Sequence, residues 1–269
     1  MGRSSLAYRL LIEIVAMSAS PFASAFAPSI TSANLAPAGV TPSANGLPAR
    51  GLAVPPPAPL PLPRVLLCDL DGTLIDSMPT LADLATDVIE RLYGTPRLLA
   101  RELYLATCGR PFVKQLEEIY PGDARNPVAS DLFESRKPAR CNAIRMTADT
   151  RRALERMRAR GVRIAVSSNN GIENVEAFVR HGDFTFDLVL GFGGGLAKGR
   201  PHLDRTSSVF GVGRQEMLFV GDSLHDGEIA EREGVPFVGV AGTFSSDRFT
   251  LRFPHVPVVK RFASLPELF

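Results

Sequence analysis

The sequence predicts an α/β protein: a parallel β-sheet covered by helices on both faces, with a separate helical block inserted after its first strand. Short apolar runs at residues 65–69, 162–167, 186–190, 217–220 and 237–240 have the length of buried strands. Helical stretches separate the later runs, which is the pattern of βαβ units. Between the first and second runs lies a long stretch without a convincing strand, too long for a simple crossover helix.

The elements follow in order. Residues 1–63 hold eleven of the 22 prolines and are otherwise rich in Ala and Ser, a composition that cannot bury enough apolar surface to order itself. Arg3 and Arg9 precede an apolar stretch, and Ala25-Phe26-Ala27 resembles a cleavage site. Glu13 interrupts that stretch, so a disordered leader or an early start codon is preferred to an export signal, and the expected location is the cytoplasm. In the inserted block, Leu81, Leu84, Ala85, Val88, Ile89 and Leu92 mark an amphipathic helix that Gly94 ends. Shorter helical patterns follow around residues 97–106, 111–120 and 128–137. A helix over residues 147–160 has Thr147 as its N-cap, Leu154 and Met157 on its apolar face and Gly161 as its stop. The resulting division is a leader at 1–63, a core at 64–77 and 146–269, and a helical cap at 78–145 placed as a lid.

Composition narrows the function. With 45% hydrophobic and 22% charged side chains over 269 residues, the chain has core material for one α/β domain and an insertion. From residue 64 onward 27 basic side chains face 27 acidic ones, so the domain has no electrostatic footprint for nucleic acid. No stretch approaches the apolar length of a membrane span. Cys68, Cys108 and Cys141 are odd in number and lack metal or disulfide spacing, which favours a reducing compartment.

The chemistry gathers at the strand ends. Asp69-Leu70-Asp71-Gly72-Thr73 closes the first apolar run with two carboxylates that can reach one site beyond the strand, suited to a nucleophile, a separate acid/base and a divalent cation between them. An Asp-Gly turn is the plain alternative. An EF-hand is excluded, because its required glycine and glutamate fall on Leu74 and Thr80. Ser167-Ser168-Asn169-Asn170 offers a hydroxyl and backbone amides for a phosphate oxygen, or an ordinary N-cap. Lys198, one of only four lysines, follows Gly193-Gly194-Gly195 in a loop that fits neither a Walker A nor a dinucleotide pattern. It could neutralise a phosphate or Asp69. Gly221-Asp222 and Asp226 repeat the opening theme, with oxygen ligands suited to a hard cation. His225 between them lacks partners for zinc and is expected at the rim.

Taken in order, Asp69-x-Asp71-Gly72-Thr73, Ser167, Lys198 and Gly221-Asp222-x-x-x-Asp226 resemble the four motifs of the haloacid dehalogenase-like superfamily, over roughly residues 64–245. The branch it is most similar to holds phosphoglycolate phosphatases and β-phosphoglucomutases, with a helical C1 cap. The resemblance implies a three-layer Rossmann-like sheet in strand order 5-4-1-2-3. It implies that Asp69 attacks phosphorus and becomes an aspartyl phosphate, and that Asp71 protonates the leaving oxygen and then activates water. Mg²⁺ would sit on Asp69, the Asp71 carbonyl and Asp222, with Asp226 supporting the metal shell or orienting Lys198. The phosphoryl group would lie among Gly72, Thr73, Ser167, Ser168 and Lys198, and Ser167 is preferred to Ser168 as the strand-end hydroxyl.

Asp71 argues against a dehalogenase, which resembles this fold without that acid. A phosphonate hydrolase would need a desolvated cap lysine, and Lys114 lies on a charged face. A sugar phosphomutase keeps every motif, and a decayed regulatory module would have lost some. Arg110, at a loop-to-helix boundary of the cap, is the candidate contact to a carboxylate or second phosphate of a small phosphorylated metabolite. Arg136, Lys137 and Arg140 are expected on a solvated cap face.

Overall fold

The computed structural model describes residues 59–269, so most of the leader, with its export alternative, lies outside the described residues. Its last residues are placed, and the boundary at 63 is corrected. The Leu60 amide donates to the Leu268 carbonyl at 2.7 Å, and Pro63 is buried, because this short segment packs beside the C-terminus.

Five strands lie where apolar runs predict them: β1 (Val65–Cys68), β2 (Arg163–Gly171), β3 (Leu188–Phe192), β4 (Met217–Gly221) and β5 (Phe237–Val240). A sixth, β6 (Val258–Val259), was not anticipated, because two residues carry no readable period. The sheet runs β3-β2-β1-β4-β5-β6, parallel at every pair. This is the expected order with one strand added at the edge. Alternation along the strands separates two apolar layers. Leu66, Cys68, Ile164 and Val166 face Leu154, Met157 and Leu265. Val65, Leu67, Ala165 and Phe219 face Leu203, Ile229 and Phe249. Burying each such Leu or Phe contributes about 1.5–3 kcal/mol, so both faces of the sheet stabilise the frame that carries the site.

Four helices occupy the insertion: α1 (Met78–Tyr93), α2 (Arg97–Thr107), α3 (Phe112–Ile119) and α4 (Asn126–Cys141). Gly94 stops α1 in the left-handed conformation at φ +69°, with its amide on the Glu90 carbonyl. The helix pattern predicted to end at residue 137 runs on through Pro138, which removes one backbone donor near the end of α4 without ending it. Leu84, Ile89, Tyr104, Phe112, Leu116 and Phe133 form an apolar cluster of their own.

The remaining helices cover the sheet: α5 (Ala148–Ala159), α6 (Ile172–Arg180), α7 (Arg200–Phe210), α8 (Leu224–Glu233) and α9 (Ser246–Arg252). As predicted, Thr147 caps α5, accepting the Thr150 amide at 3.1 Å. Among the described residues no helix is long and apolar enough to cross a membrane. A cavity of 440 Å³ lies at the starts of the strands between Leu60, Met217 and Phe253 and is lined by none of the candidate site residues.

Candidate active site

The site forms where β1 and β4 end. The Asp69 amide still donates to the Val220 carbonyl at 2.9 Å, after which the amides of Thr73, Leu74 and Ile75 converge on the Leu70 carbonyl. Gly72 turns at φ +84°, and a Cβ there would lie 2.1 Å from Asp222 Oδ2, so only glycine lets the loop pass this carboxylate. After β4, Ser223 caps α8 and exchanges hydrogen bonds with Asp226, which turns the Asp226 carboxylate back toward the strand end.

These turns bring Asp69, Asp222, Asp226 and Lys198 together out of solvent. Lys198 Nζ donates to Asp69 Oδ1 at 2.5 Å and to Asp226 Oδ1 at 2.8 Å. The other Asp226 oxygen takes the Ser223 hydroxyl at 2.7 Å. Asp222 accepts the hydroxyls of Thr73, at 3.3 Å, and Thr243. Burial works against the Lys198 ammonium, but Asp226 and Asp69 outweigh it and hold its pKa above the usual lysine range. Burial raises the Asp69 carboxyl, Lys198 opposes the rise, and Asp226 and Asp222 add to it. Burial first, and Asp226 second, push Asp222 up to about 6.

Three buried carboxylates thus face one ammonium, and each offers an oxygen within 4.8 Å of the others. The donor set is all oxygen and carries excess negative charge, which fits a hard divalent cation such as Mg²⁺. Asp226 fits least well as a ligand, since Lys198 and Ser223 already occupy both its oxygens.

Asp71 sits apart from this cluster, accepting the Ser77 hydroxyl at 2.6 Å and Asn170 Nδ2 at 3.3 Å. Asn169 ties core to insertion: its Oδ1 accepts the Lys198 amide and its Nδ2 donates to the Gly109 carbonyl at 2.8 Å. A 60 Å³ cleft between sheet edge and insertion is lined by Asp69, Asp71, Ser168, Asn169, Lys198 and Asp222, among others.

The preference for Ser167 over Ser168 is corrected. Ser167 turns to the other face of β2 and bonds His202 Nδ1 at 2.9 Å, while Ser168 lines the cleft and accepts the Asn170 amide at 3.0 Å. Strand alternation forces one of two adjacent serines away from the cleft. Arg110 also reaches the cleft wall, but its charge is taken up by Glu118 at 2.7 Å in the insertion and Glu228 at 3.6 Å in the core. His225 is half-buried, with Nδ1 3.5 Å from Glu228 Oε2. The expectation of a wholly solvated face around Lys137 is overturned: its side chain is 8% exposed and its Nζ lies 3.1 Å from Asn170 Oδ1. The periodic face Asn126, Ala129, Phe133, Lys137 was the available signal, since its other members are buried.

His202 was not anticipated. It is fully buried in α7, with Nε2 3.1 Å from the Gly191 carbonyl and Nδ1 on Ser167, so it spans β2 and β3 beside the Lys198 loop. Burial holds its pKa down to about 4, from an ordinary 6.5. The unfolded chain therefore binds this proton below pH 6.5, whereas the folded chain resists it until pH 4. Stability is expected to fall as pH drops through that window, by up to about 3 kcal/mol. Urea midpoints measured from pH 7.5 to 4.5 check this; His202→Gln is expected to flatten the acid-side slope.

A parallel sheet whose strand ends gather three carboxylates and a lysine, under a helical insertion, defines an α/β enzyme with a built, charged cleft. The profile of the haloacid dehalogenase-like hydrolase family matches residues 66–240, and the chain belongs to that family. It is similar to the phosphoglycolate phosphatase of Rhodobacter capsulatus, 27% identical over 75% of this chain and 94% of that one. The phosphoglycolate phosphatase of Neisseria meningitidis is 31% identical over 68% of this chain and 81% of its own. Among solved structures, a haloacid dehalogenase-like family hydrolase from Streptococcus pneumoniae superposes with a TM-score of 0.64 at 15% identity. That match covers 77% of this chain and 98% of the other, and it speaks to the fold alone.

Proposed function

We propose that the protein is a Mg²⁺-dependent phosphomonoester hydrolase that works through an aspartyl phosphate on Asp69 and acts on a small phosphorylated metabolite. The observation that carries this reading is the buried Lys198–Asp69 pair at the end of β1, with Asp71 held separately by Ser77. Lys198 holds one Asp69 oxygen and leaves Oδ2, which accepts a long 3.4 Å contact from the Thr73 hydroxyl, to attack phosphorus. As that P–O bond forms, the bond to the leaving oxygen breaks and Asp71 delivers its proton there. Asp71 then takes a proton from water, which attacks the phosphoryl group and returns Asp69 as a carboxylate. Ser168 accepts from a backbone amide, so its own hydrogen is free for a phosphoryl oxygen. Asp69, Asp222 and the Asp71 carbonyl would hold Mg²⁺, which when bound offsets negative charge on the carboxylates and the transferring group. Asp226 positions Lys198 in this reading and is not a ligand. The helical insertion serves as the lid that keeps bulk water from the cleft.

The relatives named phosphoglycolate phosphatases support a small, acidic phosphate ester as substrate. Three free cysteines, two of them buried, suit the cytoplasm. The test is phosphate release from p-nitrophenyl phosphate, 2-phosphoglycolate and several sugar phosphates, with Mg²⁺ and with EDTA. Turnover is expected with Mg²⁺, to vanish in EDTA and to return with excess Mg²⁺. No release from any ester by folded, metal-supplied protein would contradict the reading, as would turnover indifferent to EDTA.

A further inference from the structure

We infer that Lys137 selects the substrate: it binds an anionic group on the leaving-group side of a phosphomonoester, a carboxylate or second phosphate a carbon or two from the ester oxygen. This rests on the phosphatase reading above and narrows it. The argument begins at Asp71, which faces the leaving oxygen. Asp71 Oδ2 accepts Asn170 Nδ2, and Asn170 Oδ1 accepts both Lys137 Nζ and Asn174 Nδ2 at 3.1 Å. Lys137 therefore stands one side chain beyond the acid, where the remainder of the leaving group must lie. It lines the main cleft and also a neighbouring 40 Å³ cavity that Asp71 and Asn170 share, so space exists on both sides of it.

Its pairing is that of an exchangeable cation. Lys198 is clamped at 2.5 and 2.8 Å by two buried carboxylates. Lys137 is almost as buried, yet its only carboxylate partner among the described residues is Glu134, at 3.2 and 3.4 Å, and Glu134 is 40% exposed. Its Nζ also lies 5.0 Å from the Phe133 ring centre, a face that holds an ammonium without neutralising it. A ligand anion can take the place of Glu134, which then turns to solvent. Arg110, the third cation lining the cleft, is already bridged by Glu118 and Glu228. A neutral leaving group would leave Lys137 with nothing to gain from the substrate.

The test compares 2-phosphoglycolate with 2-hydroxyethyl phosphate, an ester of the same length whose leaving group is neutral (the neutral ester below), and with ethylene glycol bisphosphate as the second-phosphate arm. Lys137→Gln is expected to lower kcat/KM for one or both anionic esters by about 50-fold or more, chiefly through KM, and to leave the neutral ester within about threefold. Lys137→Arg should restore part of the loss. Glu134→Gln removes the competitor and is expected to lower KM for the same anionic ester. Which arm responds tells carboxylate from phosphate. The same variants in an Asp69→Asn background, titrated calorimetrically with each ester, read binding without turnover, so selectivity survives as a result even if hydrolysis fails. Equal losses on neutral and anionic esters, or no change in either, would overturn the inference while leaving the phosphatase reading standing.

Discussion

Replacing Asp69 with asparagine is expected to lower phosphate release by about four orders of magnitude, as loss of a covalent nucleophile does, while leaving the melting temperature unchanged or higher. The two halves of the expectation have one cause. Asp69 is one of three buried carboxylates around a single ammonium, and burial with its neighbours raises its pKa. An amide in its place removes a repelling charge from the metal-free protein, and Lys198 keeps Asp226 as its partner. The amide cannot attack phosphorus, so the cluster's cost to stability is tied to its use in catalysis. Thermal melts beside initial rates on p-nitrophenyl phosphate check both halves. An inactive protein that also melts far lower would show only that the site had collapsed.

Lys198→Met is expected to fail in the opposite sense, losing both activity and fold stability. Without the ammonium, Asp69, Asp222 and Asp226 are left buried with no cation, and breaking a buried pair in this way costs about 3–5 kcal/mol. For a domain of this size that is a drop in melting temperature on the order of 10 °C. Lower pH is expected to restore part of the loss, because protonating the carboxylates removes the uncompensated charge. Melting curves of the metal-free variant at pH 5 and pH 7.5 test it. Equal stability of variant and parent at pH 7.5 would mean that the carboxylates do not depend on the lysine.

Much of this was legible in the chain because the signals were local. The strand ends carrying Asp69 and Asp222 follow short apolar runs, and parallel strands of one sheet open toward the same edge. Gly94 and Thr147 mark their helix ends by backbone conformation and side-chain capping, which act within one turn. What failed to read were features set by long-range packing. The orientation of the paired serines depends on how far β2 continues, and it runs past Ser167 to Gly171 with a register shift between them. His202 is isolated in sequence, and its partners come from β2 and β3. Lys137 sits between Arg136 and a half-buried Pro138, so local charge suggested solvent, whereas its helical face pointed to the interior. Arg110 shows the reverse: a basic residue at a cleft mouth whose charge two carboxylates from different elements already balance.

The measurement that bears most directly on the central claim is acid quenching during turnover of a substrate labelled in its phosphoryl group, followed by peptide mapping. The account predicts label bound covalently to the peptide that carries Asp69, released by hydroxylamine and absent from Asp69→Asn. Steady turnover with no protein-bound label, or label mapped to another residue, would contradict it.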